Sequence, residues 1–192
     1  MEKIADDLGL SVSHSSPCFG DFGRLGSLFG GCVLCGKLRG KQLAIYTTRF
    51  PGCACFPLRI VVRADVQASD GLNITIKAMP LFVSFHRVFD GNITTTGYAT
   101  FDRKLLLSTN DRPLAEAILR YEEIRDQMCY ILEKRRHNGV LIIGTSSIAY
   151  HEPFKLITRA TRNRIKDAAT LVCDIADVIN MGRLKKINFN FL

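Results

Sequence analysis

Residues Phe101–Arg136, FDRKLLLSTNDRPLAEAILRYEEIRDQMCYILEKRR, constrain the fold more than any other stretch, because they spell out a strand, a turn and a helix in succession. Leu105–Ser108 form a short apolar run, and Thr109-Asn110-Asp111 carry turn chemistry. Asp111 suits the helix N-cap, and Pro113 suits the first turn, where a missing N–H costs nothing. Leu114, Ala117, Ile118, Tyr121, Ile124, Met128, Ile131 and Leu132 then recur at three- and four-residue steps. That spacing predicts a helix over 113–135 with one apolar face, open to a break near Arg120-Tyr121. Lys134, Arg135 and Arg136 complement its C-terminal dipole, and Asn138-Gly139 stop it.

A second long helix is predicted over 154–180, with Phe154, Ile157, Thr161, Ile165, Ala168, Val172, Ile175 and Ile179 as its inward stripe. Burial is expected at Ile124, Met128, Ile165, Val172 and Ile175. Ahead of both helices the chain alternates like sheet. Residues 3–8 suit a short helix stopped by Gly9, with Ile4 and Leu8 inward. Cys32–Cys35 and Gln42–Thr48 read as a hairpin turning across Gly36–Gly40, and Pro51-Gly52 as a further turn. Leu58–Val66 and Leu72–Ala78 read as a second hairpin around Asp70-Gly71. Leu81–Phe89 and Tyr98–Ser108 are predicted strands, Val140–Ile143 and Ile148–Tyr150 another hairpin, and Ile187–Phe191 a strand-like tail. The expected fold is a single α+β domain over 1–192, with a partly irregular, Gly-rich segment over 1–31. An antiparallel, hairpin-rich sheet of about six to eight strands carries two long C-terminal amphipathic helices on one face.

Composition narrows the class. A hydrophobic fraction of 47% and a charged fraction of 23% are those of a globular domain. Arg49 and Arg59 interrupt the most apolar region, so no run reaches the ~18 residues of a membrane span. Met1–Asp7 is acidic where an export signal is basic and then apolar. That start and an odd count of seven cysteines predict a reducing, cytoplasmic setting. The sequons at Asn73 and Asn92 then read as strand and turn composition. A net charge of +8 biases contacts toward nucleic acid, anionic lipid or acidic protein.

The chemical motifs are sparse. Gly31–Lys37 has the G-x-x-x-x-G-K spacing of a phosphate loop, but Leu38 stands where Ser or Thr would hold magnesium. A β-rich run, Ala44–Thr48, follows where a helix should begin. Cys32 and Cys35, with Cys53 and Cys55, resemble two zinc knuckles separated by residues 36–52. The C-x-C second pair fits this poorly, and buried core thiols are the simpler reading, with no metal or other cofactor expected. His14, His86, His137 and His151 carry no local catalytic signature, and paired acids such as Glu122-Glu123 suit a solvated helix face; no catalytic residue is assigned. One charge pattern stands out. Lys155, Arg159, Arg162 and Lys166 step along one face of the second helix, with Arg164 alongside and no acid between. Basic residues there oppose the helix dipole, which points to a use in docking on phosphates or an acidic partner. The plainer alternative is a solvated face paired with acids elsewhere.

The pattern Phe101-Asp102-x-x-Leu105…Thr109-Asn110-Asp111, with Leu8-Gly9-Leu10 and Gly36-x-x-Arg39-Gly40, resembles a group of uncharacterised bacterial proteins in which an FD-x-x-F strand leads through an S/T-N-D turn into a helix. The resemblance covers about half the chain and implies a sheet-plus-helices fold, without any activity or cofactor. The functional expectation is a non-enzymatic, macromolecule-binding or scaffold domain with a protein partner. The alternatives are a nucleic-acid binder using the basic stripe and a zinc- or thiol-dependent enzyme.

Overall fold

The computed structural model describes residues 2–13, 33–48, 59–79, 93–133, 139–153 and 158–189. Its elements are α1 (Glu2–Leu8), β1 (Ser11–Ser13), β2 (Val33–Leu38), β3 (Lys41–Thr48), β4 (Arg59–Asp65), β5 (Asn73–Ala78) and β6 (Ile93–Thr94). They continue as α2 (Ala99–Lys104), β7 (Leu105–Thr109), α3 (Arg112–Leu119), α4 (Glu122–Glu133), β8 (Val140–Gly144), β9 (Ser147–Pro153) and α5 (Arg159–Phe189). All nine strands form one sheet, in the order β1-β2-β3-β4-β9-β8-β5-β7-β6. Every pairing is antiparallel.

The α+β class and the antiparallel sheet agree with the sequence reading, and the strand count exceeds it. The additional pieces include β1 and β6, three and two residues long, too short to show a periodicity of their own. Alternate strand residues build the inner face: Ile45, Val62, Tyr150, Leu141, Ile76 and Leu107 all lie beneath the helices. α5 packs over β3, β4 and β9, and α4 over β5 and β7. Ile124, Met128, Ile165, Val172 and Ile175 are buried as expected. In the central strands both faces are buried, Ala44 and Val61 as well as Ile45 and Val62. That is why β4 reads Ile60-Val61-Val62 without a polar break.

Several local expectations are corrected. β4 and β5 are both strands but not a hairpin: β4 lies between β3 and β9, and β5 between β8 and β7. The chain leaving β4 bonds along the tip of the β8–β9 hairpin, through Val66 N–H to the Ser146 carbonyl and Ala68 N–H to that of Thr145. It reaches β5 beyond that inserted hairpin. Tyr98–Ser108 is not one strand, since α2 occupies its first part. The helix predicted over 113–135 parts at Arg120-Tyr121, the break that reading left open, but Tyr121 is 49% exposed instead of lying on the inward stripe. Arg125 stabilises the break by donating to the carbonyls of Leu119 and Arg120 while its guanidinium stacks on Tyr98. α5 begins at Arg159, after Thr158 accepts a bond from Thr161 N–H, and residues 154–157 lie outside the described residues. The helix passes through Gly182, so residues 187–189 continue it where a strand was expected. One glycine does not end a helix, at a cost of ~1 kcal/mol.

Other expectations hold. α1 stops at Gly9, whose φ is 63°. The β2–β3 hairpin turns on Arg39 and Gly40, with φ of 50° and 76°, the conformation that matches strand twist. β2 runs through Gly36 to Leu38, so the turn is tighter than Gly36–Gly40. A Cβ at Gly36 would stand 2.8 Å from Leu10 Cδ2 and 3.2 Å from Leu10 Cα, so glycine there lets the α1–β1 connection lie on β2. The β8–β9 hairpin forms as read. Leu81–Phe89, Pro51-Gly52 and residues 14–32 lie outside the described residues.

Candidate functional site

Where α5 begins, the inner face of β9 brings three polar side chains together. Glu152 alternates inward with Tyr150 and Ile148 and is 1% exposed; Arg164, in the second turn of α5, is 8% exposed. Arg164 Nε donates to Glu152 Oε2 at 2.5 Å and a terminal nitrogen to Oε1 at 3.1 Å, a two-pronged pair. Tyr150 Oη donates to Glu152 Oε2 at 2.8 Å. Burial, and then the Glu152 carboxylate beside it, push the phenol well above its ordinary range, so Tyr150 remains a proton donor. Gly139 lets the ring fit, since a Cβ there would meet Tyr150 Cε2 at 2.9 Å. The cluster has no reactive group: each partner satisfies the next. Its effect is positional, fixing the first turns of α5 against the sheet.

That anchoring divides the basic stripe. Arg164, expected alongside it, points inward. Lys166 is paired with Asp7 of α1 at 3.0 Å. Arg159 is exposed and Arg162 half-buried, and among the described residues neither has an ion-pair partner. Lys155 lies outside the described residues. Further along α5, Asp174 holds Arg39 and Asp177 holds Lys41 at 2.9 Å, which ties the β2–β3 turn to the helix.

The other sequence candidates resolve as follows. Cys32, Cys53 and Cys55 lie outside the described residues; Cys35, the remaining member of the four-thiol set, is buried. Among the described residues no cluster of His, Cys, Asp and Glu is arranged to hold a metal ion. Cys173 is buried, donates to the Leu38 carbonyl, and has its thiol pushed up to about 11 by burial and by Asp174, far from nucleophilic at neutral pH. Gly36-Lys37 sit within β2 and β3 follows, so no helix receives a phosphate there. His14, His86 and His137 lie outside the described residues.

His151 stands on the second face of the sheet, level with Val61 and Val140. Burial and the charge of Arg59 lower its pKa from 6.5 to about 4, so it is neutral in the fold. The unfolded chain takes up a proton near pH 6.5 that the folded chain refuses. Stability is therefore unaffected by this group above that pH, falls as pH drops toward about 4, and levels off below. The expected loss is on the order of 3 kcal/mol. Chemical denaturation across this range should show it, and His151→Gln should flatten the curve between pH 6.5 and 5. An unchanged slope in the variant would remove His151 from the account.

Asp102, Thr109, Asn110 and Asp111, the polar residues of the strand–turn–helix stretch, are all engaged with backbone. Asp102 accepts from the N–H groups of Thr96 and Gly97 and from the Thr96 hydroxyl. Asn110 accepts from Asn73 N–H and donates to the Gly71 carbonyl. Thr109 accepts from Asp111 N–H, and Asp111 caps α3 by accepting from Leu114 N–H at 3.0 Å. These four residues therefore build a loop and a helix start.

No family model matches the chain, and no curated protein does. A solved structure, that of the mycobacterial trehalose monomycolate transport factor A, TtfA, superposes with a TM-score of 0.56 at 10% sequence identity. The match covers 92% of this chain and 90% of that one. The chain thus shares an α+β fold with a transport factor over nearly its whole length. At that identity the likeness concerns the fold alone.

Proposed function

We propose that this chain is a non-enzymatic binding domain that engages an anionic macromolecular surface through the first turns of α5, with Arg159 and Arg162 as its contact groups. The observation that carries the reading is the division of the stripe. Arg164 and Lys166 are engaged within the fold, while Arg159 is exposed and Arg162 half-buried, without ion pairs among the described residues, at a helix start where basic charge opposes the dipole. A charge placed against local preference favours a role outside the fold. The buried Glu152, Tyr150 and Cys173 are engaged in structural bonds, which favours binding over catalysis. Lys155 is a candidate third contact from its position in the sequence.

The test is retention on immobilised heparin, a generic polyanion. Arg159→Gln/Arg162→Gln is expected to elute at clearly lower salt than the wild type with an unchanged melting temperature. Identical elution would overturn the reading.

A further inference from the structure

The middle of the sheet is nested. β4 and β5 follow one another in sequence, joined by residues 66–72, yet β9 and β8 lie between them. The registers carry each level straight across that gap. Ala64 is opposite Ile148, Ile148 is opposite Ile143, and Ile143 is opposite Ile74. Val62 is level with Ile76 in the same way, through Tyr150 and Leu141, and Val61 with Lys77, through His151 and Val140. β4 and β5 are thus antiparallel and already in register, three strand spacings or about 14 Å apart.

Their backbone edges match as well. Val66 N–H donates to the Ser146 carbonyl, so the even-numbered residues of β4 turn their polar groups toward β9. Asn110 N–H donates to the Asn73 carbonyl and Met79 N–H to that of Lys104, so the odd-numbered residues of β5 bond β7 and the even-numbered ones bond β8. Brought together, Ala64 with Ile74 and Val62 with Ile76 would exchange backbone bonds, their side chains keeping the inner face they occupy now. The turn needed is present too: Leu72 N–H donates to the Ser69 carbonyl, with Gly71 at a φ of 73°.

Closing β4 on β5 orders only residues 66–72. Pairing Asp65 with Ser147 requires all of residues 66–146 to be brought round first. Loop-closure entropy therefore favours the local pair early. The nested sheet is favoured later, because the β8–β9 hairpin buries Leu141, Ile143, Ile148 and Tyr150 and carries Glu152 to Arg164.

We infer that β4 and β5 first pair with each other, and that the β8–β9 hairpin completes the sheet by opening this pair and entering between its strands. Residues 66–72 then change role, from the loop of one hairpin to a strap over the tip of another, where Val66 and Ala68 bond Ser146 and Thr145.

Disulfide capture during refolding of the whole chain from urea tests this. In Val61→Cys/Lys77→Cys the two positions lie three strands apart in the finished sheet, beyond the ~7 Å that a bridge allows. In directly paired strands they would be opposite neighbours on one face. A short pulse of oxidant early in refolding, read by mass-spectrometric mapping, should give the 61–77 bridge several-fold above the 61–78 bridge of Val61→Cys/Ala78→Cys, whose second position is on the other face. A late pulse should give no 61–77 bridge, whereas Val61→Cys/His151→Cys, neighbours in the finished sheet, should bridge and so report that the chain with Cys at 61 folds. Arg63→Cys/Thr75→Cys repeats the capture one level along and leaves Val61 in place. Early bridges at 61–77 and 63–75 no more abundant than the 61–78 control, with the 61–151 bridge forming from the outset, would overturn the insertion.

Discussion

Arg164→Met is expected to destabilise the fold by about 3–5 kcal/mol, because it leaves the Glu152 carboxylate buried without its cation. The pair bridges the edge of β9 and the second turn of α5 through two hydrogen bonds. Tyr150 provides a third bond but no positive charge. Replacing both partners, in Arg164→Met/Glu152→Leu, removes the isolated charge and should recover most of the loss. What then persists is the Tyr150 hydroxyl without its acceptor, worth about 1–3 kcal/mol. Urea denaturation of the two single variants and the double variant measures this directly. Losses that simply add would mean that the residues act independently, and would dissolve the cluster.

Ile165→Ala should cost about 2–5 kcal/mol. Ile165 follows Arg164 on α5, is fully buried, and belongs to the layer between that helix and the sheet. Removing three carbons there forfeits their transfer energy and leaves a cavity that a sheet on one side and a long helix on the other cannot easily close. Thermal or urea unfolding reads the cost. A loss below about 0.5 kcal/mol is what surface substitutions give, and would place the side chain outside the core.

These two neighbours show which parts of the fold were legible in the sequence. Ile165 announced itself, because Thr161, Ile165, Ala168, Val172 and Ile175 recur at helical spacing. Asp111 announced itself as a cap for the same kind of reason: its partner, Leu114 N–H, lies three residues away. Arg164 was misread as lying beside the surface stripe because charge alone suggests solvent. A signal was available. Arg164 is three residues from Thr161 and four from Ala168, on the inward side of the helix, and Glu152 alternates with Ile148 and Tyr150 on the inward side of a strand. A base and an acid both out of place are candidates for each other.

The misjudged β4–β5 pairing has a different cause. Asp70-Gly71 does turn the chain, with Gly71 at a φ of 73°, but the hairpin that separates the two strands is encoded some 70 residues later. Local turn chemistry is silent about such an insertion. The basic stripe was visible beforehand because a single helix carries it; which of its members turns inward was not.

The central claim is that the first turns of α5, at Arg159 and Arg162, are the contact surface and the rest is scaffold. Backbone amide NMR shifts during titration with a heparin oligosaccharide test it most directly. The account expects the changes to cluster at residues 159–163. The amides around Arg112, Arg120 and the Asp174–Asp177 turn should be still. Shifts centred on those latter residues, or scattered evenly over the chain, would contradict it.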